Sequence, residues 1–287
     1  MEQNYVQRGY LHEDFRLFHL RGAMEESVDW HYHTFHKIIE FLGGESGYGV
    51  EGKQYLLQPG DLVLVPQGCI HRPEAEPNAP YERRILYLSP EFLRRAGGSC
   101  DLAACFDRAR EEFRFVVHPA DGTGGAQLAA LEHAEREDAF GQELLAQSLL
   151  FQFLIGLNRA MADDLLQYAK PAAYDRKIES ILRYLSEHLT EPVSIDDLAA
   201  RFFVSKYHMM RQFRAQTGYT IHGYLTGKRL MFARAMIAAG TPVLQASEES
   251  GFGDYSAFLR AYRKQFGAAP NQEKRANTPQ KWAICQE

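Results

Sequence analysis

The sequence predicts an α+β protein in which strands come first and helices follow. Residues 1–120 carry β-branched and aromatic residues between Gly, Pro and Asp turn signals, as in "YGVEGKQYLLQPGDLVLVPQG". From Ala126 onward apolar residues recur with the helical period. Two segments of the helical half share one design, which makes an internal repeat. These observations predict a β-sandwich or small barrel, a helical middle segment and an all-helical C-terminal region.

The boundaries follow from turn and helix signals. "HKIIEFLGG" and "ERRILYLSP" are further strand candidates, and "PADGTGG" is a loop. One helix is expected within 126–138 and another within 141–162, before Pro171 interrupts the helical pattern. The chain is therefore divided into an N-terminal barrel at 1–120, a helical dimerisation or linker segment at 121–170 and a C-terminal domain at 171–287.

The longest apolar run, "LLAQSLLFQFLIGLNRAM", is interrupted by Gln147, Gln152, Asn158 and Arg159. A membrane span needs about 20 nearly continuous apolar residues, so no membrane partner is expected. Its leucines and phenylalanine exceed what one helix usually covers on a small barrel, which predicts a homodimer contact. The residues concerned are Leu144, Leu145, Leu149, Phe153 and Leu157.

The charge is distributed unevenly along the chain, although the net charge is −5. Residues 175–287 hold 16 basic and 11 acidic side chains, whereas the first 174 residues hold 16 and 26. No acidic residue lies between Asp197 and Glu248. A segment of this length whose charged side chains are all basic favours a polyanionic partner. Its cations are Arg201, Lys206, Arg211, Arg214, Lys228, Arg229 and Arg234.

The C-terminal region contains two helix-turn-helix units. "SKYHMMRQFRAQTG" and "DYSAFLRAYRKQFG" each begin with a capping residue, end in Gly and follow a short helix and a tight turn. Apolar residues occur at matching offsets, as do arginines. The first unit has an additional start signal in Ser194, followed by two aspartates in the first helical turn. A linking helix that starts near Thr220 and ends at Gly240 separates the two units.

This region resembles the DNA-binding domain of the AraC/XylS family of bacterial transcription regulators. The resemblance rests on "SIDDLAARFFVSKYHMMRQFRAQTG", "KRLMFARAMI" and "GFGDYSAFLRAYRKQFGAAP", and it spans about 175–271. It implies a regulator that binds double-stranded DNA and is not an enzyme. The second unit departs from the family pattern at 246–247, at Ser250 and at 273–274. We therefore expect looser apolar packing there.

The resemblance also implies which side chains contact bases. On a helix that starts at Ser205, Met209 and Phe213 point inward, and Arg211 can contact a guanine edge with two hydrogen bonds. The predicted DNA-binding residues are Lys206, Tyr207, Met210, Arg211 and Arg214 in the first unit and Tyr255, Ser256, Leu259 and Arg260 in the second.

The N-terminal motifs "WHYHTFHKIIEFLGG" and "QPGDLVLVPQGCIHRP" resemble the two motifs of a cupin barrel, as in the effector-binding half of the same regulators. The positions of the cupin metal ligands correspond here to His31, His33, Lys37 and His71. On a strand, residues 31, 33 and 37 share one face because of their parity. The predicted ligand-binding residues are these four.

Three interpretations of these four residues remain open. Three histidines can hold Zn²⁺, but a lysine replaces the carboxylate, and its ammonium repels a divalent cation. The histidines are alternatively inherited residues at a barrel mouth. The third interpretation is a pocket that selects a carboxylate, phosphate or polyhydroxy ligand. The sequence-based prediction is this ligand pocket, without a metal or other cofactor, with His31, His33 and His71 as the fallback metal ligands.

Three function classes follow, of which one is a DNA-binding architectural protein without an effector. The first is a transcription regulator that responds to a small-molecule effector, with a carbohydrate or organic acid as the default class and RNA polymerase left open as a partner. The alternative is a metal-dependent cupin enzyme with an appended DNA-binding domain. The four cysteines form no C-x-x-C pair, and no secretory signal is visible, so a cytoplasmic location is expected.

Overall fold

The computed structural model describes residues 11, 13–22, 28–75, 79–119 and 123–271. The chain forms two compact units, of which one ends at Glu179 and the other begins at Ser180. This division falls within helix α5 (Arg176–Glu187), later in the chain than the sequence-based boundary after residue 170. Residues 273–274, where the second unit departs from the family pattern, and Cys285 lie outside the described residues. Among the described cysteines, Cys69, Cys100 and Cys105 form no disulfide.

The N-terminal unit is built on two antiparallel sheets. The six-stranded sheet has the order β1-β7-β2-β5-β8-β9, and the three-stranded sheet has the order β4-β3-β6. The strands are β1 (Phe15–Leu20), β2 (His36–Gly44), β3 (Ser46–Val50), β4 (Lys53–Leu56), β5 (Leu62–Val65), β6 (His71–Ala75), β7 (Tyr81–Leu88), β8 (Val116–Pro119) and β9 (Leu166–Tyr168).

Strands β2 and β5 are buried along almost their whole length because side chains on both faces of the sheet are covered. This burial explains why the sequence of β5, LVLV, is a continuous apolar run rather than an alternating one. The turn after β2 depends on Gly44, whose φ is 105° and where a Cβ atom would lie 1.8 Å from the carbonyl oxygen of Pro80. No other residue type fits that approach.

The predicted strand region also contains two helices, α1 (Pro90–Gly97) and α2 (Ala104–Glu112), so the prediction of strands throughout 1–120 is wrong there. Ser89 caps α1 by accepting a hydrogen bond from the backbone N–H of Phe92, and Pro90 occupies a position where helices tolerate proline. A three-residue strand, β9, was also not expected between 161 and 174.

The two helices expected in the middle segment are present as α3 (Thr123–Arg136) and α4 (Gln142–Ala162). Helix α4 packs against α3, and its buried face includes Leu150, Phe153 and Leu157. By length and composition alone α4 could cross a membrane. However, it contributes this buried face to the core of the N-terminal unit.

The C-terminal region is helical in all its described elements. After α5 come α6 (Ile195–Arg201), α7 (Lys206–Thr217), α8 (Ile221–Ala238), α9 (Val243–Glu249) and α10 (Tyr255–Phe266). The combination of a sheet-rich N-terminal unit and a helical C-terminal unit confirms the predicted α+β class.

The exposed side of α4 generates a prediction about assembly. Leu144 and Leu145 are 71% and 48% exposed, whereas Phe153 and Leu157, which were predicted to share the dimer contact, are buried within the unit. Burial of the two exposed leucines against a second copy would stabilise a dimer. We predict that the protein sediments as a dimer at micromolar concentration and that Leu145→Glu shifts it towards monomer.

Leu56→Glu is the matched control for this substitution, because Leu56 is a 74% exposed leucine on β4. It should leave the sedimentation coefficient unchanged. A wild-type protein that remains monomeric at micromolar concentration would refute the contact.

Candidate DNA interface and histidine cluster

The first helix-turn-helix unit consists of α6 and α7, and each helix has its expected cap. The hydroxyl of Ser194 accepts hydrogen bonds from the backbone N–H groups of Asp196 and Asp197. Ser205 caps α7 in the same way, and Gly218 ends it at a φ of 78°. These capping interactions fix where α7 begins and ends, and therefore which side chains face outward.

The predicted DNA-binding residues of α7 all lie on its exposed side. Met209 and Phe213 are buried, whereas Tyr207 is 72% exposed. The guanidinium carbon of Arg211 lies 5.8 Å from the Tyr207 ring centre. Lys206 forms an ion pair with Asp196 of α6, so its charge is partly compensated within the unit. The remaining two predicted residues, Met210 and Arg214, are exposed.

The second unit, formed by α9 and α10, repeats this arrangement with one difference. Asp254 caps α10, and Phe258 and Tyr262 are fully buried in its core. Tyr255, Ser256 and Arg260 are exposed, as predicted for residues that contact DNA. Leu259, in contrast, is only partly exposed because it packs against the core of this unit. Leu259 is therefore less accessible than the other predicted contact residues of α10.

The core of the second unit contains an unsatisfied polar atom. The Ser247 side-chain oxygen is buried and has no hydrogen-bond partner among the described residues. Its neighbour Ser250 is also buried but donates a hydrogen bond to the Ser247 carbonyl oxygen. A buried hydroxyl without a partner destabilises its surroundings. The looser apolar packing expected for the second unit stays a prediction.

The turns of the two units differ in length and in strain. Four residues separate α6 from α7, and five separate α9 from α10. In the shorter turn Phe203 adopts a φ of 50° and is 89% exposed, whereas the longer turn has Gly251 at a φ of 86°. A left-handed phenylalanine is strained. Phe203 was not among the residues predicted from the sequence, although it lies between two apolar neighbours in a tight turn.

Not every cation of the acid-free window faces solvent. The Arg229 guanidinium donates hydrogen bonds to the backbone carbonyl oxygens of Leu189 and Glu191, and Arg201 stacks over the Tyr184 ring. These two arginines therefore stabilise the fold of the C-terminal unit. The sequence could not separate them from the exposed cations, because their partners lie in the preceding helical segment.

The N-terminal unit brings His31, His33 and His71 together. His31 and His71 form a β-bridge, with hydrogen bonds of 3.1 and 2.9 Å between their backbones. The ring centres of the three histidines lie between 4.4 and 5.0 Å apart. One ligand nitrogen from each ring lies within 4.8 Å of the other two, and all three residues are buried. We call these three residues the histidine cluster.

Backbone carbonyls orient two of these rings. The His31 Nδ1 lies 2.8 Å from the Asp29 carbonyl oxygen, and the His71 Nδ1 lies 3.0 Å from that of Cys69. A carbonyl oxygen only accepts, so each Nδ1 carries the hydrogen. Burial, followed by the charges of nearby histidines and Lys37, holds the pKa of His71 well below its usual value. The ring is neutral, and its Nε2 presents a lone pair that has no hydrogen-bond partner among the described residues.

Lys37 lies beside the cluster, as predicted, but β2 begins only at His36, so His31 and His33 do not lie on one continuous strand with it. Its ammonium is buried, donates to the Tyr48 hydroxyl at 3.4 Å and lies 5.8 Å from the Tyr87 ring centre. Burial, and to a smaller degree the charge of Arg83, lowers its pKa from 10.5 to about 7. Glu40 does not neutralise Lys37, because it forms an ion pair with Arg84 instead.

The comparisons with known proteins agree with this two-part organisation. Residues 16–154 match the family described as an AraC-like ligand binding domain, and residues 198–276 match a helix-turn-helix domain. The chain belongs to the AraC family of transcription regulators. It is a DNA-binding transcription regulator with a ligand-binding domain.

Individual relatives match along most of their length. An HTH-type transcriptional activator RhaS from Escherichia fergusonii is 26% identical over 259 residues, which is 88% of each chain. The HTH-type transcriptional regulator YbfI from Bacillus subtilis is 23% identical, and the match covers 85% of this chain and 86% of YbfI. The probable transcriptional regulator LumQ from Photobacterium leiognathi is 25% identical, and the match covers 87% of this chain and 93% of LumQ.

Within this AraC-family chain, the donor set of the histidine cluster suits a transition metal. Imidazole nitrogens bind Zn²⁺, Co²⁺, Ni²⁺ and Cu²⁺, and metal-bound histidines typically donate their second ring N–H to a carbonyl or carboxylate. His31 and His71 already make that hydrogen bond. Among the described residues no Asp, Glu or Cys ligand atom joins the group.

Tyr48 and Tyr87 complete the surroundings of the cluster and were missed by the sequence analysis. The Tyr48 ring stacks on His71, and the Tyr87 ring packs on His33 and Phe35. Both tyrosines reach the site through strand pairing between distant segments. No local sequence signal marks such a contact.

The buried lysine generates a prediction about pH. Because folding disfavours the ammonium form, the unfolded chain binds more protons than the folded chain between about pH 7 and 10.5. The free energy of unfolding should therefore rise with pH in that window. At pH 7, Lys37→Met should be the more stable protein by a few kcal/mol. Denaturant unfolding of both proteins at pH 7 and at pH 9.5 should show the difference shrinking.

Other groups titrate in the same range, but their contributions to the free energy of unfolding are the same in both proteins and cancel when the two are compared at each pH. Lys228→Met serves as the control for the loss of one lysine. A Lys37→Met effect that is independent of pH would show that the ammonium is not destabilised by burial.

Proposed function

We propose that this AraC-family regulator binds promoter DNA through both helix-turn-helix units of one chain and responds to a small effector bound beside Lys37. The proposal that both units bind DNA is supported by the pair of capped helices α7 and α10. Each packs an apolar face into a buried core and presents arginine and tyrosine on the opposite face. That is the arrangement by which a recognition helix enters the major groove.

The proposed roles of the contact residues follow from exposure and chemistry. Arg211 and Arg260 are the candidates for guanine contacts, because a guanidinium can donate two parallel hydrogen bonds to O6 and N7. Tyr207 and Met210 would contact thymine methyl groups or sugars. Arg214 and Lys206 would contact phosphates, although Lys206 must then leave Asp196. In the second unit, Tyr255 and Ser256 precede Arg260 on the exposed face, whereas Leu259 would contribute least.

The proposed effector site consists of Lys37 and the histidine cluster. Lys37 is buried, and no carboxylate among the described residues pairs with it. A buried cation is costly unless a partner compensates it, which supports an effector that carries a negative charge. A carbohydrate acid or another organic acid meets this requirement. Among the carbohydrates and organic acids expected from the sequence, the effector is therefore one that carries an acidic group.

The remaining proposals concern the cellular setting. We propose a cytoplasmic homodimer that contacts RNA polymerase at the promoter. The name of the RhaS relatives as activators supports activation of transcription as the output. An enzymatic function has less support, because the relatives that match along most of their length are named as transcription regulators.

The DNA-binding proposal is tested by removal of a guanine contact. Arg211→Ala should weaken binding by about 1–3 kcal/mol and relax base preference at one position of the site. Binding of the full-length protein is measured by fluorescence anisotropy against a library of sites, each with a single base substitution.

Arg94→Ala is the matched control, because it removes an exposed arginine from the N-terminal unit. It should change neither affinity nor base preference. A uniform loss for Arg211→Ala across all sites would make Arg211 a phosphate contact, and no binding of wild-type protein at low salt would contradict the function itself.

A further inference from the structure

A group of charged side chains lies between the six-stranded sheet and helix α3. The strand register places His19 of β1 opposite Arg84 of β7, and Arg84 opposite Glu40 of β2, so these three residues share one face of the sheet. The Arg84 guanidinium donates to Glu40 at 2.9 Å and to Glu132 of α3 at 2.7 Å. The start of α3 also approaches closely, because a Cβ atom on Gly125 would lie 2.6 Å from a Glu40 carboxylate oxygen. Ion pairs therefore contribute to the docking of α3 on the sheet.

Both ring nitrogens of His19 face carboxylates in this group. Its Nδ1 lies 2.8 Å from a Glu132 carboxylate oxygen, and its Nε2 lies 2.8 Å from a Glu82 carboxylate oxygen. The His19 side chain is only 5% exposed. A carboxylate oxygen accepts but cannot donate, so both contacts are hydrogen bonds only when both nitrogens carry a hydrogen. A neutral imidazole carries one hydrogen and would place a lone pair against one of the two carboxylates.

The neighbouring groups do not supply a different donor for these contacts. The Arg21 Nε lies 3.4 Å from the His19 Nε2, but it donates at the shorter distance of 2.9 Å to the Glu82 oxygen. The hydrogen bond from His19 is the main cause that lowers the pKa of Glu82. Burial alone would raise the pKa of Glu132, but hydrogen bonds from Arg84 and His19 hold it below its usual value. Both carboxyl groups are thus anionic, and the second hydrogen belongs to the ring.

The balance of buried charge gives the same protonation state. Four side chains of the group are largely buried, and they are His19, Glu40, Arg84 and Glu132. Two carboxylates and one guanidinium leave one negative charge, which an imidazolium at His19 compensates. The other two cations, Arg21 and Arg136, are mostly exposed, so solvent screens their charges.

We infer that a doubly protonated His19 holds α3 on the sheet and that this attachment weakens as the pH rises and the ring loses a proton. The neutral ring keeps one hydrogen bond and turns the other contact into a repulsion. The folded chain therefore binds more protons than the unfolded chain above about pH 6.5, where an unfolded histidine loses its proton. The stabilisation by His19 is complete below that pH and is lost above it. Because α3 packs against α4, both helices of the middle segment become sensitive to pH.

Hydrogen exchange of the full-length protein, measured by mass spectrometry at pH 6 and pH 9, tests this inference. Protection factors correct for the intrinsic rise of exchange with pH, and they report local opening. Peptides from α3 of the wild type should lose about tenfold in protection between the two pH values, because a charged hydrogen bond is lost. Peptides from α7, which lies in the other unit, should show no such loss. His19→Gln should give weak α3 protection at both pH values, since an amide group donates to only one of the two carboxylates.

Two further variants complete the experiment. His133→Gln is the matched control, because His133 is a 78% exposed histidine on α3 that pairs with Glu137, and it should keep the pH dependence of the wild type. Glu132→Gln removes the carboxylate on α3 and leaves His19 in place. It should abolish the pH dependence, because a neutral ring can then hydrogen-bond to the amide. This variant tests the inference independently of the folding of His19→Gln.

The outcomes that overturn the inference are specific. Equal α3 protection of the wild type at pH 6 and pH 9 overturns it. A pH dependence that persists in His19→Gln or in Glu132→Gln does the same. Loss of the pH dependence in His133→Gln would assign the titration to the exposed histidine of α3 instead.

Discussion

The organisation of the C-terminal unit depends on one packing constraint, namely the burial of two apolar side chains spaced four residues apart on each recognition helix. Met209 and Phe213 fill this role in α7, and Phe258 and Tyr262 fill it in α10. Side chains four residues apart lie on the same side of a helix, so their burial fixes the rotation of the helix. Arg211 and Arg260 then face outward as a geometric consequence.

The helix caps fix where each recognition helix begins and ends, and so they set the position of its side chains along the helix axis. Ser205 and Asp254 start the two recognition helices, and Gly218 and Gly267 end them in the left-handed conformation. Because the same design occurs twice, one chain carries two exposed basic faces. The two units differ in their turns and cores, since the first has a shorter turn with a left-handed Phe203 and the second has a buried hydroxyl without a hydrogen-bond partner among the described residues.

Much of this arrangement could be predicted from the sequence because it is local. The caps and the helical periodicity of each unit are encoded within about fifteen consecutive residues, and the structure has them where they were expected. The parity that grouped His31, His33 and Lys37 is also a local signal, but β2 begins only at His36, and His31 reaches His71 through an isolated β-bridge. Helix α1 was missed although Ser89 and Pro90 signal its start, because the surrounding strand pattern was extended through it.

Contacts between distant segments could not be predicted in the same way. Tyr48 and Tyr87 reach Lys37 only through the pairing of strands, and Arg229 is held by carbonyl oxygens about forty residues earlier in the chain. The burial of Lys37, which decides the chemistry of the cluster, likewise depends on both sheets. The sequence therefore identified the four residues of the candidate site but not the environment that sets their protonation.

Contact of one chain with DNA through two recognition helices can be measured by hydroxyl-radical footprinting of the full-length protein on its promoter site. We expect two protected blocks per bound chain, on one side of the duplex and about one helical turn, or roughly 34 Å, apart, over an asymmetric sequence. Arg260→Ala should weaken protection of one block only. A single protected block per chain, unchanged by Arg260→Ala, would show that only one recognition helix contacts DNA.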